Sequence, residues 1–145
     1  MSTQGLSYLA SLVCVFALLT SCQRNATQRL ADLGATPGHT VTLTEATFDQ
    51  AIKEGVTLVD FWATWCAPCK TQSPVVDEVA AAISNRAVIA RFDIDTSKKR
   101  VKQFKLEYVP TLMLFKNGKP IQTFTGFTDK EKLIAVIDQA VGRGK

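Results

Sequence analysis

Val56-Thr57-Leu58-Val59-Asp60-Phe61-Trp62-Ala63 leads directly into Thr64-Trp65-Cys66-Ala67-Pro68-Cys69-Lys70. The first part is a nearly unbroken apolar run of strand length, the pattern of a central strand covered on both faces. Two cysteines separated by two residues then stand where a helix begins. That spacing lets their sulfurs close a small ring, and the amino end of a helix stabilises negative charge on the first. An ordinary thiol with a pKa of about 8.5 is about 3% thiolate at pH 7, whereas a pKa lowered toward about 7 makes roughly half of it nucleophilic. Cys66 is the expected exposed nucleophile, and Cys69, one turn deeper, is expected to resolve the mixed disulfide. Pro68 suits the first helical turn, where its missing N–H costs nothing and its fixed φ stiffens the loop. The Ala67-Pro68 pair carries no histidine of the kind that stabilises the reduced thiolate in strong periplasmic oxidants, which favours a reducing poise.

Asp60 interrupts the buried strand, and burial should raise its pKa. It would then be able to take or relay the proton when Cys69 becomes a nucleophile. The bland alternative is a carboxylate satisfied by structural hydrogen bonds.

Upstream of this strand, Val41 to Leu43 reads as a short alternating strand, and Thr44 caps a helix whose Phe48, Ala51 and Ile52 share a face, ended by Gly55. Downstream, the helix after the cysteines carries Val75, Val79 and Ile83 at steps of four, with Pro74 inside it as a source of a kink. Ala87 to Phe92 reads as another buried strand. Ser97 to Leu106 reads as a basic helix with Val101 and Phe104 turned inward, and with Lys98, Lys99, Arg100, Lys102 and Lys105 on a solvated face. Asn117-Gly118 joins strands Thr111 to Phe115 and Ile121 to Thr125 as a tight hairpin, and Pro120 requires its strand to lie at a sheet edge or to begin there. Thr128-Asp129-Lys130-Glu131 reads as a capping box opening a helix with Leu133, Val136, Ile137, Ala140 and Val141 on one stripe. The order βαβαβαββα predicts an α/β fold with a central mixed sheet and helices on both faces.

The chain has 145 residues, room for one domain, and 17 basic against 13 acidic residues leave a formal charge of +4. The charge is mild and lacks aromatic-laced basic patches, so nucleic acid is not expected as a partner. All of these charges lie at or beyond Arg24. Residues Leu6 to Leu19 form an apolar run too short to span a bilayer comfortably, which reads as an export signal. Leu19-Thr20-Ser21-Cys22 resembles the lipobox of bacterial lipoproteins, in which the signal is cut before a cysteine that receives lipid. Residues 1–21 are thus expected as export signal, Cys22 as the lipidated residue, 22–39 as a polar tether with room for a helical turn at Arg29 to Leu33, and 40–145 as the folded domain. The stretch before the apolar run has no Lys or Arg, and an uncleaved membrane anchor or a misassigned start are the competing readings. A flexible tether of about 17 residues has a contour of about 60 Å.

With Cys14 leaving in the signal and Cys22 taking lipid, Cys66 and Cys69 remain as the free thiols. No structural disulfide framework and no metal site is expected, since His39 sits alone in a polar stretch.

From about His39 to the end the chain resembles the thioredoxin family. The likeness rests on Val59-Asp60-Phe61-Trp62-Ala63, on Trp65-Cys66-Ala67-Pro68-Cys69-Lys70, and on Val109-Pro110-Thr111 before Lys116-Asn117-Gly118, in that order and spacing. The resemblance implies the thioredoxin fold, Asp60 as the buried acid, and Pro110 as a cis proline facing the cysteines. It also implies that Val109 offers backbone hydrogen bonds to the substrate chain and that Gly126 lies near the substrate groove. Trp65, Ala67, Pro68, Val109, Pro110 and Gly126 are therefore the expected substrate-contacting set. Ala67 stands where the commonest motif has Gly, Arg91 where a Lys is usual, and Glu107-Tyr108 where Arg-Gly is common, which makes the groove rim more acidic and bulkier.

The expected function is protein-disulfide reduction by dithiol–disulfide exchange, with no cofactor. The expected setting is a monomer tethered by lipid and facing the periplasm, with a cytoplasmic location as the alternative. Disulfide-containing proteins are the expected substrates, and a membrane transporter of reducing equivalents or a thioredoxin-reductase-like protein the expected electron donor. A thiol oxidase or isomerase, and a non-catalytic binding module on the same fold, are the competing functions.

Overall fold

A computed structural model of the chain describes residues 26–142. The element order is α1 (Ala26–Asp32), β1 (Val41–Leu43), α2 (Glu45–Ile52), β2 (Val56–Trp62), α3 (Ala67–Ile83) and β3 (Val88–Asp93), then a 3-10 turn (Ile94–Thr96), α4 (Lys98–Phe104), β4 (Thr111–Lys116), β5 (Lys119–Thr125) and α5 (Lys130–Ala140). The sheet runs β1-β3-β2-β4-β5. The β1–β3 and β2–β3 pairs are parallel, and β2–β4 and β4–β5 are antiparallel. Apart from α1, this is the expected βαβαβαββα order in a mixed sheet, the thioredoxin fold.

Strand β2 lies at the centre, which explains its unbroken apolar run. Its Val56 and Leu58 pack with Val79, Ile83, Leu133 and Ile137 from α3 and α5. Val59 and Phe61 point to the opposite face, toward α1, α2 and α4. There Phe48 stands within 5.2 to 6.1 Å of the rings of Phe61, Phe92, Phe104 and Phe115. Aromatic pairs of this kind each contribute about 0.5–1.5 kcal/mol beyond the area they bury.

Several details differ from the sequence reading. The buried stripe of α3 is Val76, Val79, Ala80 and Ile83, with Val75 only half-buried, and the helix continues through Pro74. Arg100 is not on a solvated face. It is 2% exposed, lies 4.6 Å above the Phe48 ring, and donates two hydrogen bonds to Asp49 at 2.9 and 2.8 Å. A planar cation can bury its carbon stem and stack on a ring while its fork pairs with a carboxylate, which a count of charges along the helix does not reveal. The cap of α5 is Asp129, whose side chain accepts from the Lys132 N–H at 3.0 Å, so Thr128 is free for another task.

The stretch read as a polar tether carries helix α1 from its first described residue. Leu30 is 2% exposed and belongs to the phenylalanine cluster. Arg29 is buried and donates to the Ala51 carbonyl at 3.0 Å, the Val56 carbonyl at 3.4 Å and Thr57 Oγ1 at 2.6 Å. Gly55 makes the room, since a Cβ built there would lie 2.3 Å from Arg29 Nη1, and its φ of +62° also favours glycine. One apolar residue and one cation thus tie a mostly polar helix to the domain.

Candidate functional site

The cysteine pair sits where β2 gives way to α3. Cys66 is the N-cap of α3 and Pro68 lies in its first turn. The two cysteines form a disulfide, with their Cα atoms 5.3 Å apart. The Cys69 backbone N–H donates to Cys66 Sγ at 3.1 Å, so an unpaired helix-end donor already points at the sulfur that would carry charge as a thiolate. The expected contrast in exposure is small in this oxidised state: Cys66 is 3% exposed and Cys69 1%. Both lie against Ala63 and the half-buried Trp62, Ile94 and Val109. What separates them is the helix-end position of Cys66.

Large apolar side chains next in sequence to Cys66, Val109 and Gly126 are exposed. Trp65 is 66% exposed, Tyr108 67% and Phe127 57%, and the Ala67-Pro68 pair between the cysteines is exposed as well. The Val109–Pro110 peptide is cis, as the resemblance implies, and Pro110 is buried. The Pro110 carbonyl accepts from the Gly126 N–H at 2.8 Å, and Thr111 Oγ1 donates to the Tyr108 carbonyl at 2.7 Å, which joins the two loops that flank the cysteines. Gly126 has φ of +81° with open space where a Cβ would go, so its backbone conformation accounts for the glycine.

Asp60 is fully buried on the sheet face covered by α3. Neither of its carboxylate oxygens has a hydrogen-bond partner among the described residues. Burial pushes its pKa up to about 7, the Arg91 cation pulls it down, and the Asp77 carboxylate pushes it up. A carboxyl that titrates near neutrality can exchange a proton with a thiol.

Three residues that position the site were not singled out from the sequence. Gln72 is buried, donates to the Thr128 carbonyl at 3.0 Å and accepts from the Thr128 N–H at 2.8 Å, which locks the loop after Gly126 to α3. The available signal was its place three residues after Cys69 on the stripe that Val76 and Val79 continue. Asp95 accepts the Trp65 indole N–H at 2.9 Å and so fixes the exposed ring. Asp77 is the third, with its Oδ1 3.1 Å from Arg91 Nη2. His39 is exposed on the loop before β1, and no cluster able to hold a metal occurs among the described residues. Cys22 and residues 1–21 lie outside the described residues. No described helix is long and apolar enough to cross a membrane.

A disulfide-forming CxxC pair at the head of a helix, beneath a cis-proline loop in this fold, defines an oxidoreductase built for thiol–disulfide exchange. The thioredoxin family profile matches residues 39–139. A thioredoxin of Staphylococcus aureus strain MW2 is 42% identical over 99 residues, which is 68% of this chain and 95% of that protein. Strain COL has a thioredoxin that matches to the same extent. Among solved structures, a mutant thioredoxin from Halobacterium salinarum NRC-1 superposes with a TM-score of 0.67 at 28% identity, covering 74% of this chain and 95% of that one. The chain belongs to the thioredoxin family.

Proposed function

We propose that the protein is a protein-disulfide reductase that works by dithiol–disulfide exchange through Cys66 and Cys69. The observation that carries this reading is the Cys66 sulfur at the amino end of α3, receiving the Cys69 N–H, next to the exposed Trp65. In the reduced enzyme the Cys66 thiolate attacks one sulfur of a substrate disulfide, and the other sulfur leaves as a thiolate that takes a proton from water. Asp60, as carboxylate, accepts the Cys69 proton. The Cys69 thiolate then attacks Cys66 Sγ, which releases the second substrate thiolate and closes the enzyme disulfide. An electron donor of the dithiol class reopens that bond for the next turnover.

Trp65, Ala67, Pro68, Val109, Pro110 and Gly126 form the substrate platform in this proposal, with the backbone of Val109 pairing to an extended substrate segment. The motif lacks a histidine, which favours reduction over oxidation. The reduction potential tests that direction: a value near about −270 mV supports a reductase, and one near about −120 mV supports an oxidase.

The export signal and the lipid on Cys22 belong to the same proposal, with the domain monomeric and facing the periplasm. Cys22 precedes Ala26 by only four residues. That gives a reach of about 14 Å before the docked helix begins, far less than the contour of a fully flexible tether. Mass spectrometry of the membrane-extracted protein tests it: a lipid-modified N-terminal Cys22 supports the anchor, and an intact Met1 with a free thiol at Cys22 contradicts it.

A further inference from the structure

Asp60 and Arg91 face each other across neighbouring strands, in register in the β2–β3 pair, yet they do not close into a hydrogen bond. Arg91 Nε stands 3.9 Å from Asp60 Oδ2, and neither that nitrogen nor either Asp60 oxygen has a hydrogen-bond partner among the described residues. A buried carboxylate and a half-buried cation on paired strands would ordinarily close on one another, since an unpaired buried polar atom costs on the order of 1–3 kcal/mol. Something holds the guanidinium off. Its Nη2 end donates to the Ser73 carbonyl and lies 3.1 Å from Asp77 Oδ1, both on α3. The same Asp77 oxygen accepts from Thr40 Oγ1 at 2.9 Å, which steadies the carboxylate from the segment before β1.

We propose that Asp77 is a positioning residue: it braces the Arg91 guanidinium against α3 and so keeps that cation from closing on Asp60. An arginine is a fixed cation that cannot give up its proton, so at this position it can tune Asp60 only by how near it comes. The brace sets that distance. Across the antiparallel strand pair Asp60 faces the apolar Leu112, and the charges that act on it are those of Arg91 and Asp77. Arg91 and Asp77 are therefore the charged groups that decide how readily Asp60 holds a proton, a direction in keeping with the upward effect of Asp77 and the downward effect of Arg91. The consequence for turnover rests on the proposed proton transfer from Cys69 to Asp60. The brace itself does not.

The test follows the Asp60 carboxyl carbon by NMR through a pH titration of the oxidised protein, beside the pH profile of insulin reduction by the reduced protein. Asp77→Asn should lower the Asp60 titration midpoint by about half a pH unit or more, because the negative charge is gone and Arg91 is released toward Asp60. In an Arg91→Gln background the same Asp77→Asn change should move the midpoint less than half as far, since only direct repulsion between the carboxylates remains. Equal shifts in both backgrounds would overturn the brace, as would no shift in the first. The pH profile separates the two readings. If the carboxyl midpoint moves as expected while the rate profile stays fixed, the brace stands and the role of Asp60 in proton transfer falls.

Discussion

Asp60 ties the site to the stability of the fold through a single carboxyl group with no exposure and no hydrogen-bond partner among the described residues. Its pKa is pushed up to about 7 by burial, so the folded state binds this proton more tightly than the unfolded chain does. The stabilising contribution is fully present below the unfolded pKa of about 4 and is lost as pH rises through about 7. A shift of about three units corresponds to on the order of 4 kcal/mol. Asp60→Asn removes the ionisation, so the oxidised variant should unfold at higher denaturant than the parent at pH 8, and the advantage should vanish near pH 4. Urea titrations at the two pH values check this, and an equal difference at both would contradict it. The same substitution should slow release of the mixed disulfide at least tenfold, measured by quenched-flow trapping with a single-turnover substrate. Cys69→Ser should accumulate that mixed disulfide, whereas Cys66→Ser should form none; both are read on non-reducing gels.

At the scale of elements, the parts whose residues repeat with a clear period or carry turn chemistry were legible beforehand. Strand β2 showed itself by its apolar run, α2 by the Thr44 cap, and the hairpin by Asn117-Gly118, whose two residues both take positive φ. Pro120 lies on the edge strand β5, where its missing donor is harmless. The Cys66–Cys69 spacing and the acid Asp60 inside an apolar run stood out in the residues themselves, whereas the cis Pro110 followed from the family resemblance. Of helix α1 only a turn at Arg29 to Leu33 was legible, because it has seven residues and its docking depends on Leu30 and a buried Arg29, two contacts set by tertiary structure. Gln72 and Asp95 act through partners 56 and 30 residues away, and nothing local marks them. Arg29→Ala should leave the Ala51 and Val56 carbonyls and Thr57 Oγ1 without that donor and cost about 1–3 kcal/mol. Amides of α1 should then exchange at least tenfold faster than in the parent, by hydrogen–deuterium exchange, while those of α3 hold their rates. Unchanged α1 exchange would contradict the docking.

Across the whole molecule, α1 and the cysteine pair lie at opposite ends of the central strand. Arg29 bonds the Val56 carbonyl and Thr57 at the beginning of β2, and Cys66 follows its end, about 20 Å away along the strand. A chain anchored just before α1 would therefore hold its redox face away from the anchoring surface, toward soluble partners. The account as a whole depends on electron exchange at one sulfur pair, and insulin reduction driven by dithiothreitol reads that exchange directly. The oxidised domain should be reduced by dithiothreitol and then accelerate precipitation of the insulin B chain well above the dithiothreitol background, with the acceleration abolished in Cys66→Ser. A well-folded domain that leaves the background rate unchanged would contradict it.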